Sequence, residues 1–500
     1  MTANRQESAH AARSAAATLL GNVGSMALGV VSAILVPNVL GSVGFGYWTY
    51  YRGLTVVLFS ISALVTPLLV FTREFAALSA AGETERAGQL FKAIVLFRLS
   101  SAVLFGALGA PLILRGGYKV FGLSAIILLA LMVVSRAWMT ISHALMYASR
   151  QLPRLAVLGL FNTALVPVAV AVGYRVGGVY AIVWSCLIGE LLLAVIYAWG
   201  SRPFLVWPRG LPSRADWHGM LFSGIAVSAA ATAANMFRNA VLAVMGLSHV
   251  PAVEIGYVGL GVRLGGVAGD ALLSVAMAVF PSAVLVLQQS GQEDVLRWQE
   301  HLYRWGTVGL LLMIGVYQLA GHLLVPLVFG AEFAPAAHMV GWCLAVEIPI
   351  WIGAQYAILA VLLKRHGVFG ASVAGLYVVF FAVHQLLPAA VSPANRAIQA
   401  MFAGTVTYAV IGHVGLRVRA RVRLNLHPLL VPVVMTVTTF FWQTAVRSAV
   451  SSVLIAVLWA PAFLLFCLVS GALQPEDGKL LWRSILRLFG RAEDAFSPVR

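Results

Sequence analysis

The chain has 500 residues, of which 61% are hydrophobic and only 10% charged, with a formal net charge of +16. Soluble domains carry roughly 25% charged residues, so the composition is that of an integral membrane protein with no separate soluble domain. The basic excess then reads as topology and attraction to anionic lipid headgroups, not as nucleic-acid binding.

The N-terminal stretch MTANRQESAHAARSA has no short apolar core followed by a cleavage site, and reads as a cytoplasmic tail. Apolar runs long enough to cross a bilayer follow in order. The first two are expected at residues 15–40 and 47–72, joined by a tight turn at Gly41, Gly44 and Gly46. Tyr47, Trp48, Tyr50 and Tyr51 open the second span as an interfacial aromatic cluster. A polar loop at 73–89, whose FAALSAAGETERAGQL also suits a short interfacial helix, leads to spans at 90–114, 121–145, 155–174 and 178–199. The stretch SRPFLVWPRGLPSRADW (201–217), with Pro203, Pro208 and Pro212, is a linker. The pattern then restarts, with spans at 220–247, 257–287, 305–329, 337–363, 371–390 and 397–416, the second and third separated by the polar loop SGQEDVLRWQEHLYR. After the basic run RVRARVR come two more spans, at 429–445 and 450–473, about fourteen in all. The tail LLWRSILRLFGR puts Leu481, Ile485, Leu488 and Phe489 on one face and Arg483, Arg487 and Arg491 on another, an amphipathic helix on the inner leaflet.

Charge sets the orientation. With the N-terminus inside, inner segments hold 23 of the 33 lysines and arginines and outer loops 5, the other five lying within spans. This bias expects both termini in the cytoplasm and an even number of spans. The halves also repeat: Gly46-Tyr47 is followed by Arg52 and Pro67, and Gly256-Tyr257 by Arg263 and Pro281. Both halves enter from the same side, so the repeat is parallel and a site between the halves follows. The fold class is therefore all-α and polytopic, with two six-helix lobes and two extra helices. The divisions are an N-terminal lobe at 1–200, a linker at 201–217, a C-terminal lobe at 218–416, two helices at 417–473 and a tail at 474–500. The three cysteines, Cys186, Cys343 and Cys467, lie in apolar runs with no CxxC pair, so neither a disulfide framework nor a metal site is expected.

Charges at membrane depth are costly and mark functional positions. The run Tyr257–Pro281 carries Arg263 and Asp270 two turns apart on one face, with Gly259, Gly266 and Ser274 beside them. This looks like one wall of a water-filled path. Mutual neutralisation of Arg263 and Asp270 is the structural alternative. Other spans hold Arg52, Arg98, Arg136, Glu190, Arg238 and Glu347, with His143 and His384, and Arg238 lies between Asn235 and Asn239. Arg98 sits where snorkelling to the interface is expected, and His384 where packing is. Arginine dominates, and its fixed fork of donors suits phosphate, so an anionic substrate is expected. No nucleophile–base pairing, phosphate loop or metal-ligand spacing stands out.

The first helix leading into VPNVLGSVGFGYW, the loop REFAALSAAGETERAGQLF, the six-plus-six halves and the two extra spans carry a resemblance over nearly the whole chain. It resembles the polysaccharide (O-antigen-type) flippases of the multidrug, oligosaccharidyl-lipid and polysaccharide (MOP) exporter superfamily. The resemblance implies two lobes around a V-shaped cavity and no catalysis. The implied substrate is a polyprenyl-pyrophosphate-linked oligosaccharide, turned from the inner to the outer leaflet of the cytoplasmic membrane by alternating access. Basic cavity residues would hold the pyrophosphate, which fits Arg52, Arg238 and Arg263; Arg136, Asn235 and Asn239 complete the candidate set. Proton or sodium coupling is common in such relatives, making Glu190, Asp270 and Glu347 candidates, and no other cofactor is expected. Membrane lipids, a glycan polymerase and glycosyltransferases are expected partners. The rivals are a peptidoglycan lipid-precursor flippase and a cation-coupled multidrug exporter, the latter disfavoured by the arginine excess.

Overall fold

The computed structural model describes residues 2–64, 68–109, 111–112, 124–149, 151–204, 207–208, 210–211, 213–289, 292–388, 390–420, 422, 427–445 and 449–474. Helices α1 (Thr2–Leu64), α2 (Leu68–Ala80), α3 (Thr84–Gly109), α4 (Ser124–Ala148) and α5 (Leu152–Ser201) form the first half. Then come α6 (Arg214–Leu247), α7 (Ala252–Gln289), α8 (Gln292–Phe329), α9 (Ala336–Leu362), α10 (His366–Leu386) and α11 (Pro393–Ala420). The last two are α12 (Leu430–Ala445) and α13 (Ala449–Val469). Ten stretches among the described residues are long and apolar enough to cross a membrane.

Two of these helices are hairpins. A straight α1 would run about 94 Å at 1.5 Å per residue, three times the hydrocarbon core. It turns instead at Gly41, whose φ of 66° and ψ of 174° are open to glycine and costly for other residues. One residue does the work expected of a six-residue loop. Gly177 and Gly178 break α5 in the same way, joining the two spans expected there. Dividing α1 and α5 at these glycines gives fourteen helical segments among the described residues besides the short α2, in agreement with the expected number.

Three polar stretches are helical over most of their length. The N-terminal stretch read as a tail is helical from Thr2 and continuous with α1. The polar stretch 73–89 is mostly helix, ending α2 and starting α3 around a turn at 81–83. The charged run before Trp305 was expected as a loop but is the start of α8. It buries Val295, Gln299 and Tyr303 at four-residue spacing, while Glu293 and Arg297 are exposed and Arg304 is itself buried. The amphipathic helix expected beyond residue 474 lies outside the described residues.

Helices α1 to α5 pack on one another, and so do α6 to α11, while α12 and α13 pack on α8. The halves meet chiefly through α1 against α6 and α7. At this crossing the repeat is visible in contact. A Cβ on Gly256 would come 3.3 Å from the Gly46 nitrogen, and one on Gly46 would strike the Ala252 carbonyl at 1.7 Å. The two equivalent Gly-Tyr positions therefore face each other across the join, where only glycine lets the backbones approach. Hydrogen bonds tie the same end. The Glu332 carboxylate accepts from the Ser42 backbone N–H at 3.1 Å and its hydroxyl at 3.0 Å. Asn38 donates to the Val328 carbonyl at 2.9 Å, and the Tyr257 hydroxyl to that of Glu332 at 3.0 Å. At the opposite end the linker rests on α3: Lys92 donates to the Pro208 carbonyl at 3.3 Å and lies 5.8 Å from the Trp207 ring.

Candidate functional site

Between the halves, below the Gly46–Gly256 crossing, lies a cavity of about 570 Å³. Helix α7 supplies one wall. Gly259, Arg263, Gly266 and Asp270 recur at three- and four-residue intervals, so one face of the helix carries them all, and all four line the cavity. The opposite side of α7 is tuned for close packing. Gly261 and Gly265 lie against Cys343 of α9, and Gly269 leaves room for the side chains of Arg238 and Glu347. The hairpin at Gly41 brings in α1. Ser32 lies nine residues before the turn and Arg52 eleven after it, which puts both at similar depth on its two arms.

Arg52, Arg136, Arg238 and Arg263 converge on this cavity, with Asn239, Glu190 and Asp270. Their pairing differs from expectation. Arg263 does not pair with Asp270; it donates to the Ser32 hydroxyl at 2.5 Å, a residue on the other half. Asp270 instead accepts from Arg238 at 2.8 Å, and the second amino group of Arg238 donates to Glu347. Asp270 is 69% exposed and Glu347 2% exposed, so one carboxylate faces the cavity and the other is buried behind the arginine. Arg136 holds Glu190 through Nε at 2.9 and 3.0 Å and Nη2 at 2.5 Å, a bidentate pair. Arg52 has no hydrogen-bonded or ion-paired partner among the described residues; it lies within electrostatic reach of Arg136, of Arg263 and of Glu190, the carboxylate that Arg136 already holds. Four arginines thus face three carboxylates. The surplus positive charge sits where Arg52 and Arg263 meet.

Three sequence candidates lie elsewhere. Asn235 is exposed but does not line this cavity. Glu347 stands behind its wall. Arg98, expected to snorkel, is fully buried: it donates to the Ser62 hydroxyl at 2.9 Å, and its guanidinium lies 4.7 Å from the Phe59 ring. A cation–π contact and a hydroxyl take the place of water there. His143 lines the cavity, while His384 stacks on Phe380 at 5.8 Å. Sequence reasoning missed Ser32, the clamp on Arg263, and the neutral polar lining residues Thr140, Asn162 and Thr163. Single serines and threonines in apolar spans carry no charge signal. The spacing Gly265–Gly269, by contrast, was available as a sign that α7 packs closely on a second face.

No protein-family model and no curated protein matches the sequence. Solved structures do match. The lipid II flippase MurJ, in an inward closed conformation, is similar with a TM-score of 0.65 at 11% identity, over 94% of this chain and 99% of that one. An inward-facing multidrug resistance MATE family transporter of the MOP superfamily matches with a TM-score of 0.60 at 13% identity, over 79% and 94%. The Vibrio cholerae MATE transporter VcmN matches with a TM-score of 0.53 at 14% identity, over 84% and 99%. The chain is an all-helical membrane protein with the fold of these transporters.

Proposed function

We propose that the chain is a flippase that moves a polyprenyl-pyrophosphate-linked oligosaccharide from the inner to the outer leaflet of the cytoplasmic membrane, for polysaccharide biosynthesis, by alternating access between its two lobes. The observation that carries this reading is the meeting of Arg52 and Arg263 at the lobe interface, neither held by a carboxylate among the described residues. A pyrophosphate is the kind of ligand that such a pair of guanidinium groups selects, because each offers a planar fork to phosphate oxygens. The pair straddles the two halves, so a ligand held there feels any rocking of one half against the other. All three carboxylates are paired with arginine, and Asp270, the one that also stays exposed to the cavity, is the best placed for a coupling proton or sodium ion. The orientation with both termini in the cytoplasm rests on the basic residues of the inner segments. A glycan polymerase and the glycosyltransferases that build the lipid-linked sugar are the expected neighbours.

A lipid II flippase is the second reading, favoured by the likeness to MurJ over 94% of this chain. It uses the same pyrophosphate chemistry and differs in the glycan. A multidrug exporter of the MATE kind fits less well, because each acidic group at this cavity is paired with an arginine. The test is surface glycan in cells carrying Arg52→Ala or Arg263→Ala, with protein level in the membrane measured. Loss of surface glycan with accumulation of lipid-linked intermediate at normal protein level supports the reading. Full export by both variants sinks it. Rescue of lipid II translocation by the wild type, with surface glycan unaffected by its deletion, selects the second reading.

A further inference from the structure

Within the proposed flippase reading, the two walls of the cavity differ in kind. The charged lining residues of the first half, Arg52, Arg136 and Glu190, lie nearer the crossing, and the others lie on α6 and α7. Along α4, Thr140 and His143 follow Arg136 by four and seven residues, about 6 and 10 Å further from the crossing at 1.5 Å per residue. On α5, Asn162 and Thr163 lie fifteen and fourteen residues before Gly177, and Glu190 lies twelve after Gly178. The two positions are therefore slightly deeper than Glu190 and roughly level with Thr140. Together Thr140, His143, Asn162 and Thr163 form an uncharged polar wall on the first half, starting one turn below the arginines.

The hydrogen-bonding state of this wall matters more than its polarity. Thr140 spends its hydroxyl proton on the Arg136 and Ala137 carbonyls at 3.1 and 2.8 Å, and Thr163 spends its own on the Gly159 carbonyl at 2.9 Å. Both oxygens thus offer the cavity lone pairs and no donor. Asn162 is exposed to the cavity and adds an amide that both donates and accepts. Acceptor oxygens repel a phosphate and receive the hydroxyl protons of a polyol. We infer that this wall is the glycan subsite: the sugars next to the pyrophosphate lie against Thr140, Asn162 and Thr163 while Arg52 and Arg263 hold the phosphates. One half of the molecule then selects the sugar, and the interface holds the anion that all such lipids share.

The inference rests on the pyrophosphate reading, and the test separates the two. The full-length protein is placed in lipid nanodiscs and exposed to the lipid-linked glycans extracted from membranes of the producing cells, spiked with bare polyprenyl pyrophosphate. Native mass spectrometry gives the ratio of bound glycosylated to bound bare lipid. Thr163→Val and Thr140→Val remove an acceptor at nearly constant shape, and Asn162→Ala removes the amide. Each is expected to lower the ratio about fivefold, the equivalent of one hydrogen bond, with bare-lipid binding unchanged. An unchanged ratio in all three variants, or an equal loss of both lipids, overturns the glycan wall while leaving the pyrophosphate site standing. Failure of the wild type to bind either lipid overturns both.

Discussion

Arg238 shows why the arginines of this cavity are not interchangeable as probes. It carries two carboxylates, and one of them, Glu347, is buried. Removing the arginine strands that carboxylate in the interior, which costs about 3–5 kcal/mol. Arg238→Ala is therefore expected to lower the melting temperature in detergent markedly, and Arg238→Ala combined with Glu347→Gln to recover a large part of the loss. Equal melting temperatures for wild type and single variant would contradict the buried pair. Arg52 and Arg263 hold no buried carboxylate of their own, so their substitution strands no charge, although Arg263→Ala also removes the hydrogen bond to Ser32. The charged residues themselves were legible in the sequence, because a charge in an apolar run stands out. Their pairing was not. Arg263 and Asp270 share a helix face, yet the partners that won, Ser32 for the one and Arg238 for the other, come from helices that only the folded chain brings alongside.

At the scale of the elements, glycine decides where helices turn and touch. The turn at Gly41 was expected in place but not in form, since the composition GSVGFG signals flexibility without saying how few residues a hairpin requires. The charged start of α8 misled for a related reason. Composition alone suggested a loop, while the spacing of Val295, Gln299 and Tyr303 already described a helix with one buried face. The crossing of α1 and α7 supplies a direct test. A methyl group on Gly46 meets backbone, which cannot move aside as a side chain can. Gly46→Ala is expected to destabilise the protein by about 1–3 kcal/mol. Gly370→Ala on α10, with nothing within 4 Å of the added carbon, is expected to be neutral or to stabilise by up to about 1 kcal/mol. Thermal unfolding of the two purified variants compares them, and equal behaviour would contradict the close approach at the crossing.

The molecule joins its two halves through Gly46 and Gly256, with the cavity beneath that join and its surplus positive charge where Arg52 and Arg263 meet. The order of spans and their repeat could be read from hydropathy and from two Gly-Tyr pairs, because both are local patterns. The depth of each polar side chain could not, because it follows from the hairpins at Gly41 and Gly177. Direction of transport follows from orientation. With basic loops inside, a cysteine at Ser248→Cys, in the exposed turn between α6 and α7, is expected to react with a membrane-impermeant thiol reagent in intact cells. Ala81→Cys, in the exposed turn between α2 and α3, is expected to react only after permeabilisation. The reverse pattern would invert the orientation. The central claim is that Arg52 and Arg263 grip the pyrophosphate of a lipid-linked glycan and carry it across. Its most direct measurement is translocation of a polyprenyl-pyrophosphate-linked oligosaccharide in proteoliposomes, read by a lectin added outside. Wild type is expected to move the lipid, and the Arg52→Ala/Arg263→Ala double variant to be slower by about tenfold or more at equal amounts of folded protein. Equal rates for the two proteins, or no movement by the wild type, would contradict it.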